Sequence, residues 1–244
     1  MNIEIIQGKV KTIFPTDKPD EVIIQYEDKV TAGNGEKEDY PEDKGRICCE
    51  ISTIIFKLLE QAGVDTHYVS MPTHRAMCCK KVDIVPIEIV VRNIAAGSIC
   101  RQTTIPEGKL FMVPLVEFYL KDDDKNDPLL TKRRLRLMGY DLHKEIEPLE
   151  QMAHDINYKL RRIFEKIDLT LVDFKLEFGY DSDGNLLLAD ELSPDGMRLW
   201  KKDTQESMDK DLFRKGDGDI VEAYNQILDA LNKLVLSKNN DCSD

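Results

Sequence analysis

A row of charged side chains in the last third of the sequence is the clearest sign of chemistry. Alternate residues of a β-strand share one face, so Asp173, Lys175 and Glu177 point the same way. Leu171 heads this row. The hydrophobic residues between them, from Val172 to Phe178, point into a core. The pattern therefore predicts a strand that displays two carboxylates and an amine on one face.

A further carboxylate returns to the same place across a predicted turn. Residues 181–185 read DSDGN, which is typical of a turn, and a second hydrophobic run follows them. If Asp181 pairs with Leu186, Glu177 lies opposite Asp190. Facing carboxylates repel unless a positive charge lies between them, and a divalent metal would supply it. The alternative is a half-exposed hairpin whose charges face solvent.

The segment after this hairpin adds cationic and aromatic groups. The run Ser193-Pro194-Asp195-Gly196 predicts a tight turn that brings Arg198 and Trp200, the only tryptophan, to the same neighbourhood. Metal-binding carboxylates beside a lysine and an arginine suit the binding of phosphates and carboxylates.

Two N-terminal segments are candidate anion sites. Lys9 and Lys11 share a face of the predicted first strand. In the small lobe of kinases, β-strands place a lysine and a glycine-rich loop against the phosphates of ATP. Two solvent-facing lysines are the alternative. Residues 31–35, TAGNG, form a flexible turn whose backbone N–H groups are suited to an anion, or they form a plain loop.

Residues 90–98 run from a buried strand into small residues. Arg92 offers a bidentate clamp for a carboxylate or phosphate, and Ser98 offers a hydroxyl; a structural ion pair is the equal alternative for Arg92. Lys80 precedes a predicted junction between lobes, where a nucleotide base commonly binds, or it is an ordinary surface lysine. Arg214 lies on a short charged helix from which it can reach an anionic substrate.

Composition excludes several classes of protein. The 244 residues are 41% hydrophobic and 33% charged, with a net charge of −12, which disfavours non-specific nucleic-acid binding. No apolar window approaches the length of a membrane span, and no secretion signal is visible, so we expect a cytoplasmic location. The adjacent cysteine pairs do not match zinc spacing and are expected to be free thiols. The four histidines show no metal spacing.

Strand clusters interspersed with helices, without a regular βαβ rhythm, predict an α+β fold. We expect a β-rich N-terminal part, residues 1–82, and a mixed C-terminal part, residues 83–244. The predicted strands cover 3–14, 21–30, 67–71, 76–82, 86–91, 110–120, 171–178 and 186–192, and the predicted helices cover 46–62, 148–167 and 219–236.

Taken together, these segments closely resemble one family. The sequence resembles the phosphoribosylaminoimidazole-succinocarboxamide synthase, or SAICAR synthetase, family from about residue 5 to 235. The resemblance is carried, in order, by GKVK at 8–11, AGNG at 32–35, VVRN and AAGS within 90–98, VDFKLEFG at 172–179, DELSPD at 190–195, RLW at 198–200 and MDKD at 208–211.

The resemblance implies a fold and a reaction. The implied fold is two-lobed: a small β-rich lobe like the small lobe of kinases, a larger ATP-grasp-like α+β lobe, and a nucleotide cleft between them. The implied enzyme is a homodimeric ATP-dependent ligase of purine biosynthesis. It joins the carboxylate of carboxyaminoimidazole ribotide to the amine of L-aspartate through an acyl phosphate, with Mg²⁺ as cofactor.

By similarity, each candidate residue receives a role. Lys175 would stabilise moving negative charge, Asp173 is the candidate general base if one is needed, and Arg198 completes the catalytic set. The residues assigned to ATP are Lys9, Lys11, Lys80, Asp83, Ile84 and Lys121. The residues assigned to the other substrates are Arg92, Ser98, Ser193, Asp195, Arg198 and Arg214. The residues assigned to the metal are Glu177 and Asp190.

The sequence departs from the family pattern in places, and two other functions stay open. Asn34 stands where many relatives have Asp, and Gln102-Thr103-Thr104 replaces a common Arg-Leu-Gly stretch. A kinase-like phosphotransferase would use the same cleft without aspartate. A nucleotide-binding regulator would bind ATP without turnover, which the presence of Lys175 and both predicted metal ligands disfavours.

Overall fold

The computed structural model describes residues 5–33 and 36–241, so Asn34 and Gly35 of the predicted anion-binding turn lie outside the described residues. The N-terminal part is built on an antiparallel five-stranded sheet in the order β1-β2-β3-β7-β6. Its strands are β1 (Ile6–Gln7), β2 (Lys11–Pro15), β3 (Glu21–Tyr26), β6 (Tyr68–Thr73) and β7 (Ala76–Lys80). The predicted strand at residues 21–30 ends at Tyr26, and a short antiparallel pair follows it, β4 (Val30–Ala32) and β5 (Lys37–Asp39).

The prediction of one continuous strand over residues 3–14 is wrong, because two strands, β1 and β2, lie there with a turn between them. The chain turns over residues 8–10, and Gly8 N donates to Lys11 O at 2.8 Å to close a hairpin between β1 and β2. Lys9 therefore lies in the turn and Lys11 begins β2, so they do not share a strand face. A glycine at the start of the turn favours bending here over one continuous strand.

A second sheet of seven strands forms the C-terminal part, in the order β11-β10-β9-β12-β13, with β14 and β8 also paired to β12. Its strands are β8 (Asp83–Ile84), β9 (Ile87–Ile94), β10 (Leu110–Leu120), β11 (Leu129–Leu130), β12 (Leu169–Tyr180), β13 (Leu186–Ala189) and β14 (Met197–Lys201). The long strand β12 is central, since β9 and β8 pair along one of its edges and β14 and β13 along the other.

Helices cover the sheets and bury their apolar faces. They are α1 (Lys44–Gln61), α2 (Ser98–Gln102), α3 (Lys132–Leu137), α4 (Glu147–Glu165), α5 (Asp211–Lys215) and α6 (Ile220–Asp241), with a π-helical turn at Leu142–Ile146. In α4, Ile156, Leu160 and Phe164 recur at helical spacing and are buried. Helix α6 extends to Asp241, beyond the predicted end at residue 236, and packs on α1.

The carboxylate hairpin has a different register from the predicted one. Tyr180 pairs with Leu186 and Glu177 pairs with Ala189, so the loop contains five residues instead of four. The Asp181 carboxylate accepts the backbone N–H groups of residues 183 and 185, at 3.0 and 2.8 Å, and this side-chain turn accounts for the longer loop.

A β-bulge in β12 changes which hydrophobic residues reach the core. The pairing of β12 with β14 shifts between Leu171 and Asp173. Leu171 joins the core cluster with Phe174, whereas Val172, predicted to point into the core, is buried outside that cluster.

The predicted α+β class and two-lobed arrangement are confirmed by this architecture. The chain passes between the two sheets at residues 81–82, and Gly179 lets this connection approach β12 closely: a Cβ there would lie 2.7 Å from a methyl carbon of Val82. The division into residues 1–82 and 83–244 stays a prediction. Among the described residues, no helix has the length and apolarity that crossing a membrane requires.

Candidate active site

Three neighbouring strands present the predicted site residues on one face of the second sheet. Asp173 of β12 pairs with Arg92 of β9, and Tyr119 of β10 pairs with Glu88 of β9. Because alternate residues of a strand share a face, Lys175 lies beside Asp173 on the same face. A paired sheet holds these side chains at fixed spacings.

Lys175 lies at the centre of the charged groups. Its Nζ is 2.7 Å from Glu177 Oε1, 2.8 Å from Glu88 Oε1 and 3.8 Å from Asp190 Oδ2. Lys121 also binds Glu177, whose side chain is only 2% exposed. The positive charge expected between Glu177 and Asp190 is therefore a lysine in this structure.

Asp190 reaches this cluster although it is not opposite Glu177 in the sheet. It follows the last residue of β13 and has φ of 62°, in the left-handed region that non-glycine residues seldom occupy. This backbone turn directs its carboxylate toward Lys175 and into an ion pair with Lys11. Lys11 Nζ also lies 3.1 Å from Glu191 Oε1.

Burial and charge together set the protonation states in this cluster. Burial disfavours the ammonium of Lys175, but the carboxylates of Asp190, Glu177 and Glu88 outweigh it and raise its pKa. Burial likewise opposes ionisation of Asp190, yet Lys11 and Lys175 lower its pKa. Lys11 and Lys175 are therefore cationic and Asp190 is anionic at neutral pH.

A buried histidine, His67, lies near Asp190 of this cluster. His67 is 3% exposed, and its ring packs edge-on against Phe56 with centroids 5.3 Å apart. Burial lowers the pKa of His67 to about 4, although the nearby Asp190 opposes this. The ring is therefore neutral at physiological pH, and within the described ranges its Nε2 has no hydrogen-bond partner.

Arg92 lies at the centre of a second charged network, in which its guanidinium binds other side chains of the protein. Its guanidinium donates to Glu117 Oε2 and Asp173 Oδ2, each at 2.7 Å, and to Ser98 Oγ at 2.7 Å and Tyr119 Oη at 3.2 Å. The side chain is only 3% exposed. This geometry favours the structural ion pair over direct substrate clamping, and the predicted binding role of Arg92 stays a prediction.

Arg198 shares Asp173 with Arg92. Arg198 Nη1 donates to Asp173 Oδ2 at 2.8 Å, and its Nε donates to Asp211 Oδ2 at 2.9 Å. Asp211 in turn accepts from Arg214 Nη1 at 2.5 Å. Gly97 makes room for this guanidinium, because a Cβ at Gly97 would lie 2.4 Å from Arg198 Nη2. Burial raises the pKa of Asp173, although Arg198 and Arg92 oppose this. Both of its carboxylate oxygens already accept from arginine, and its role as a base stays a prediction.

These networks line an open cavity of about 400 Å³. Four cationic side chains and three carboxylates line it. The charged lining residues are Arg92, Arg101, Lys175, Arg198, Glu88, Asp127 and Asp173. Lys175 lies between this cavity and the carboxylates of Glu177 and Asp190.

Three predicted ATP residues lie along the connection between the lobes. Lys80 ends β7, and its N–H donates to His67 O at 2.7 Å; Asp83 and Ile84 form β8 and pair with the end of β12. Lys80 lines a separate cavity of about 470 Å³ that Asp181 also lines. The structure does not bring these residues into the charged cluster, and their predicted role stays a prediction.

The predicted substrate residues Ser193 and Asp195 are buried. Ser193 Oγ donates to Glu191 Oε2 at 2.6 Å. Asp195 forms an ion pair with Lys44, which is 2% exposed, and Asp195 Oδ1 accepts from Tyr224 Oη at 2.9 Å. These contacts join α1 and α6 to the turn at residues 193–196, which indicates a structural role for Asp195.

Sequence reasoning missed several members of the site, among them Glu88, Glu191, Glu117, Tyr119 and Asp211. Glu88 had a usable signal: it lies four residues before Arg92 in a predicted strand, so both share a face. Glu117 and Tyr119 could not be found this way, since their proximity depends on the pairing of β10 with β9.

Comparisons with known proteins identify the family. A sequence model described as SAICAR synthetase matches residues 4–231. The chain belongs to the SAICAR synthetase family. The phosphoribosylaminoimidazole-succinocarboxamide synthase of Staphylococcus carnosus is 43% identical over 230 residues, which cover 94% of this chain and 98% of that relative. The family predicted from the sequence is confirmed.

Solved structures of the family share the fold. A SAICAR synthetase solved in complex with ADP superposes with a TM-score of 0.90 at 39% identity, covering 93% of this chain and 97% of that one. The phosphoribosylaminoimidazole-succinocarboxamide synthase of Ehrlichia chaffeensis has the same TM-score, 0.90, at 37% identity, with the same coverage of 93% and 97%. The agreement extends over nearly the whole chain.

Proposed function

We propose that this chain joins the carboxylate of carboxyaminoimidazole ribotide to the amine of L-aspartate, with ATP converted to ADP and phosphate. Membership of the SAICAR synthetase family supports the reaction and confirms the predicted class, an ATP-dependent ligase of purine biosynthesis. The observation that carries the proposal is the position of Lys175, between the carboxylates of Glu177 and Asp190 and a cation-rich cavity.

We assign the ATP phosphates to the side of Lys175 that faces Lys11 and Lys121. The three amines converge on Glu177 and Asp190, so phosphates arriving there would replace carboxylates as their partners. The bound ADP of one structural neighbour supports a nucleotide site in this fold.

Glu177 and Asp190 fit a magnesium ion by their donor chemistry. Mg²⁺ prefers oxygen ligands and is commonly bound by one or two carboxylates together with substrate phosphates and water. Among the described residues, no group of three or more acidic, histidine or cysteine side chains is placed to hold a metal ion. A bound Mg²⁺ would neutralise charge on the phosphates.

The cavity on the other side of Lys175 suits an anionic ribotide. Arg101 and Arg198 line it without being enclosed as Arg92 is, and Ser98 begins a short helix at its wall. Phosphoryl transfer needs positioning and charge stabilisation more than covalent help from the protein. We therefore infer that the substrate carboxylate attacks the γ-phosphate beside Lys175, and that the resulting acyl phosphate is attacked by the aspartate amine.

An ADP-release assay separates this proposal from the two alternatives. We expect release that needs the ribotide, L-aspartate and Mg²⁺ together. A stable phosphorylated ribotide formed without aspartate would favour a kinase-like phosphotransferase. ATP binding without any release under all conditions would favour a regulator.

Oligomeric state and location are further proposals. We propose a homodimer, supported by an apolar run at residues 110–116 in which Met112 and Val113 are 101% and 74% exposed. The strand edge there is unpaired within the described part of the chain, since β11 pairs only with residues 118–119. A cytoplasmic location stays a prediction.

A further inference from the structure

The proposed reaction needs a group that removes a proton from aspartate. The α-amine of an amino acid is largely protonated at neutral pH, and only the neutral amine has the lone pair that attacks an acyl phosphate. A candidate base must lie in the substrate cavity, within reach of the acyl carbon. Three carboxylates line that cavity: Glu88, Asp127 and Asp173.

Two of these carboxylates are committed to other contacts. Asp173 accepts hydrogen bonds from both Arg92 and Arg198, and the Arg198 guanidinium contacts both of its carboxylate oxygens. Burial raises the pKa of Asp173 as it does that of Glu88, so the arginine contacts and not the pKa separate the two carboxylates. Asp127 closes its own loop, because its Oδ1 accepts the Asp122 N–H at 2.9 Å and its N–H donates to Asp122 O at 3.1 Å. Both are better suited to holding structure than to exchanging protons.

Glu88 has the placement that a base requires. It lies within β9, a strand paired on both sides, so its backbone is fixed. Its side chain is 17% exposed, and Oε1 accepts from Lys175 Nζ at 2.8 Å. Burial raises the pKa of Glu88 above its ordinary value, although Lys175 opposes this, and a higher pKa makes its carboxylate a stronger proton acceptor.

We propose that Glu88 is the general base that takes a proton from the ammonium of L-aspartate, an inference that rests on the proposed ligase function. The proton passes to the Glu88 carboxylate, and the nitrogen lone pair attacks the acyl carbon. The C–N bond forms, and the bond between the acyl carbon and the oxygen that bridges to phosphorus breaks. The electron pair of that bond leaves with the phosphate. The second proton of the attacking nitrogen leaves with the phosphate. Lys175, held between Glu88 and Glu177, stabilises the departing anion.

Hydroxylamine separates base catalysis from positioning. It is a small nucleophile that is uncharged at neutral pH, so it captures an acyl phosphate as a hydroxamate without a base. We expect Glu88→Gln to lower kcat with L-aspartate by about 100-fold or more. Hydroxamate formation should stay within about tenfold of the unsubstituted enzyme. Asp127→Asn is the matched control, and it should change both rates by the same factor.

The outcomes that overturn the proposal are distinct from failure of the proposed function. If Glu88→Gln slows both nucleophiles equally, Glu88 positions Lys175 and is not the base. If it slows neither, Glu88 has no role in the chemistry. Absence of hydroxamate with the unsubstituted enzyme contradicts the acyl phosphate itself.

The pH profile of kcat with L-aspartate is an independent test of whether Glu88 is the base. The groups that act on its titration are Lys175 and Glu177 from β12 and Asp127 from the 121–128 loop. These groups remain in Glu88→Gln. If Glu88 is the base, the acid limb of the profile moves to higher pH in this variant, because the rate then follows the fraction of neutral aspartate amine. An acid limb that stays at the same pH overturns the proposal.

Discussion

The buried ion pair between Lys44 and Asp195 gives the sharpest stability prediction. Replacing Asp195 by Ala leaves the Lys44 ammonium, 2% exposed, with the Lys29 carbonyl at 3.1 Å as its remaining partner among the described contacts. Removing one member of a buried pair costs about 3–5 kcal/mol. For a domain of this size, about 2–4 °C is lost per kcal/mol, so Tm should fall by roughly 6–20 °C.

Urea unfolding followed by the fluorescence of Trp200 measures this loss. A lower midpoint at unchanged m-value reports lost stability rather than a changed unfolded state. The double variant Lys44→Met with Asp195→Asn should recover most of the loss, because it removes the charge and keeps an acceptor for Tyr224. The control is Glu206→Ala, which breaks an exposed pair with Lys201 at 2.7 Å and should cost less than about 1 kcal/mol.

One result would refute the structural role of Asp195. If Asp195→Ala loses less than about 1 kcal/mol but raises KM for a substrate, Asp195 acts in substrate binding, as the family resemblance implies. The same experiment therefore separates the two interpretations of this residue.

Three further predictions follow from single features of the structure. Gly97→Ala should lower kcat/KM by about 100-fold in steady-state assays, because its Cβ would displace the Arg198 guanidinium. His67→Gln should destabilise the protein less at pH 4.5 than at pH 7, by about 2–3 kcal/mol in urea unfolding. The neutral His67 of the native state contributes stability above its unfolded pKa, and this is lost as pH falls toward about 4. Met112→Lys should convert a homodimer to a monomer in multi-angle light scattering, since it places a charge in the exposed apolar run.

Each of these predictions has a contrary outcome. A Gly97→Ala enzyme with normal kcat/KM would show that Arg198 tolerates displacement. An equal effect of His67→Gln at both pH values would show that the ring takes up a proton in the native state. If the unsubstituted chain is a dimer and the Met112→Lys variant has the same molar mass in solution, the dimer contact lies elsewhere.

Local sequence pattern was enough to predict the main elements of the site. Hydrophobic periodicity located α1, α4 and α6, and the alternation around Lys175 located β12 and its charged face. The turn chemistry of residues 181–185 predicted a hairpin. These features depend on residues close together in the chain.

The register and the convergence of distant residues could not be predicted in the same way. The Asp181 side chain lengthens the loop by one residue, which places Glu177 opposite Ala189. The left-handed backbone of Asp190 then returns its carboxylate to the cluster. Likewise, the contact of Glu88 with Lys175 depends on β9 pairing with β12, which is a property of the sheet order.

Oxygen transfer tests the central claim most directly, namely that this site activates a carboxylate by phosphorylating it. Carboxyaminoimidazole ribotide with both carboxylate oxygens labelled as ¹⁸O would be turned over with ATP and L-aspartate, and the released phosphate analysed by mass spectrometry. Each phosphate should carry one ¹⁸O atom, and the other should remain in the amide. Unlabelled phosphate from a full turnover would contradict the claim.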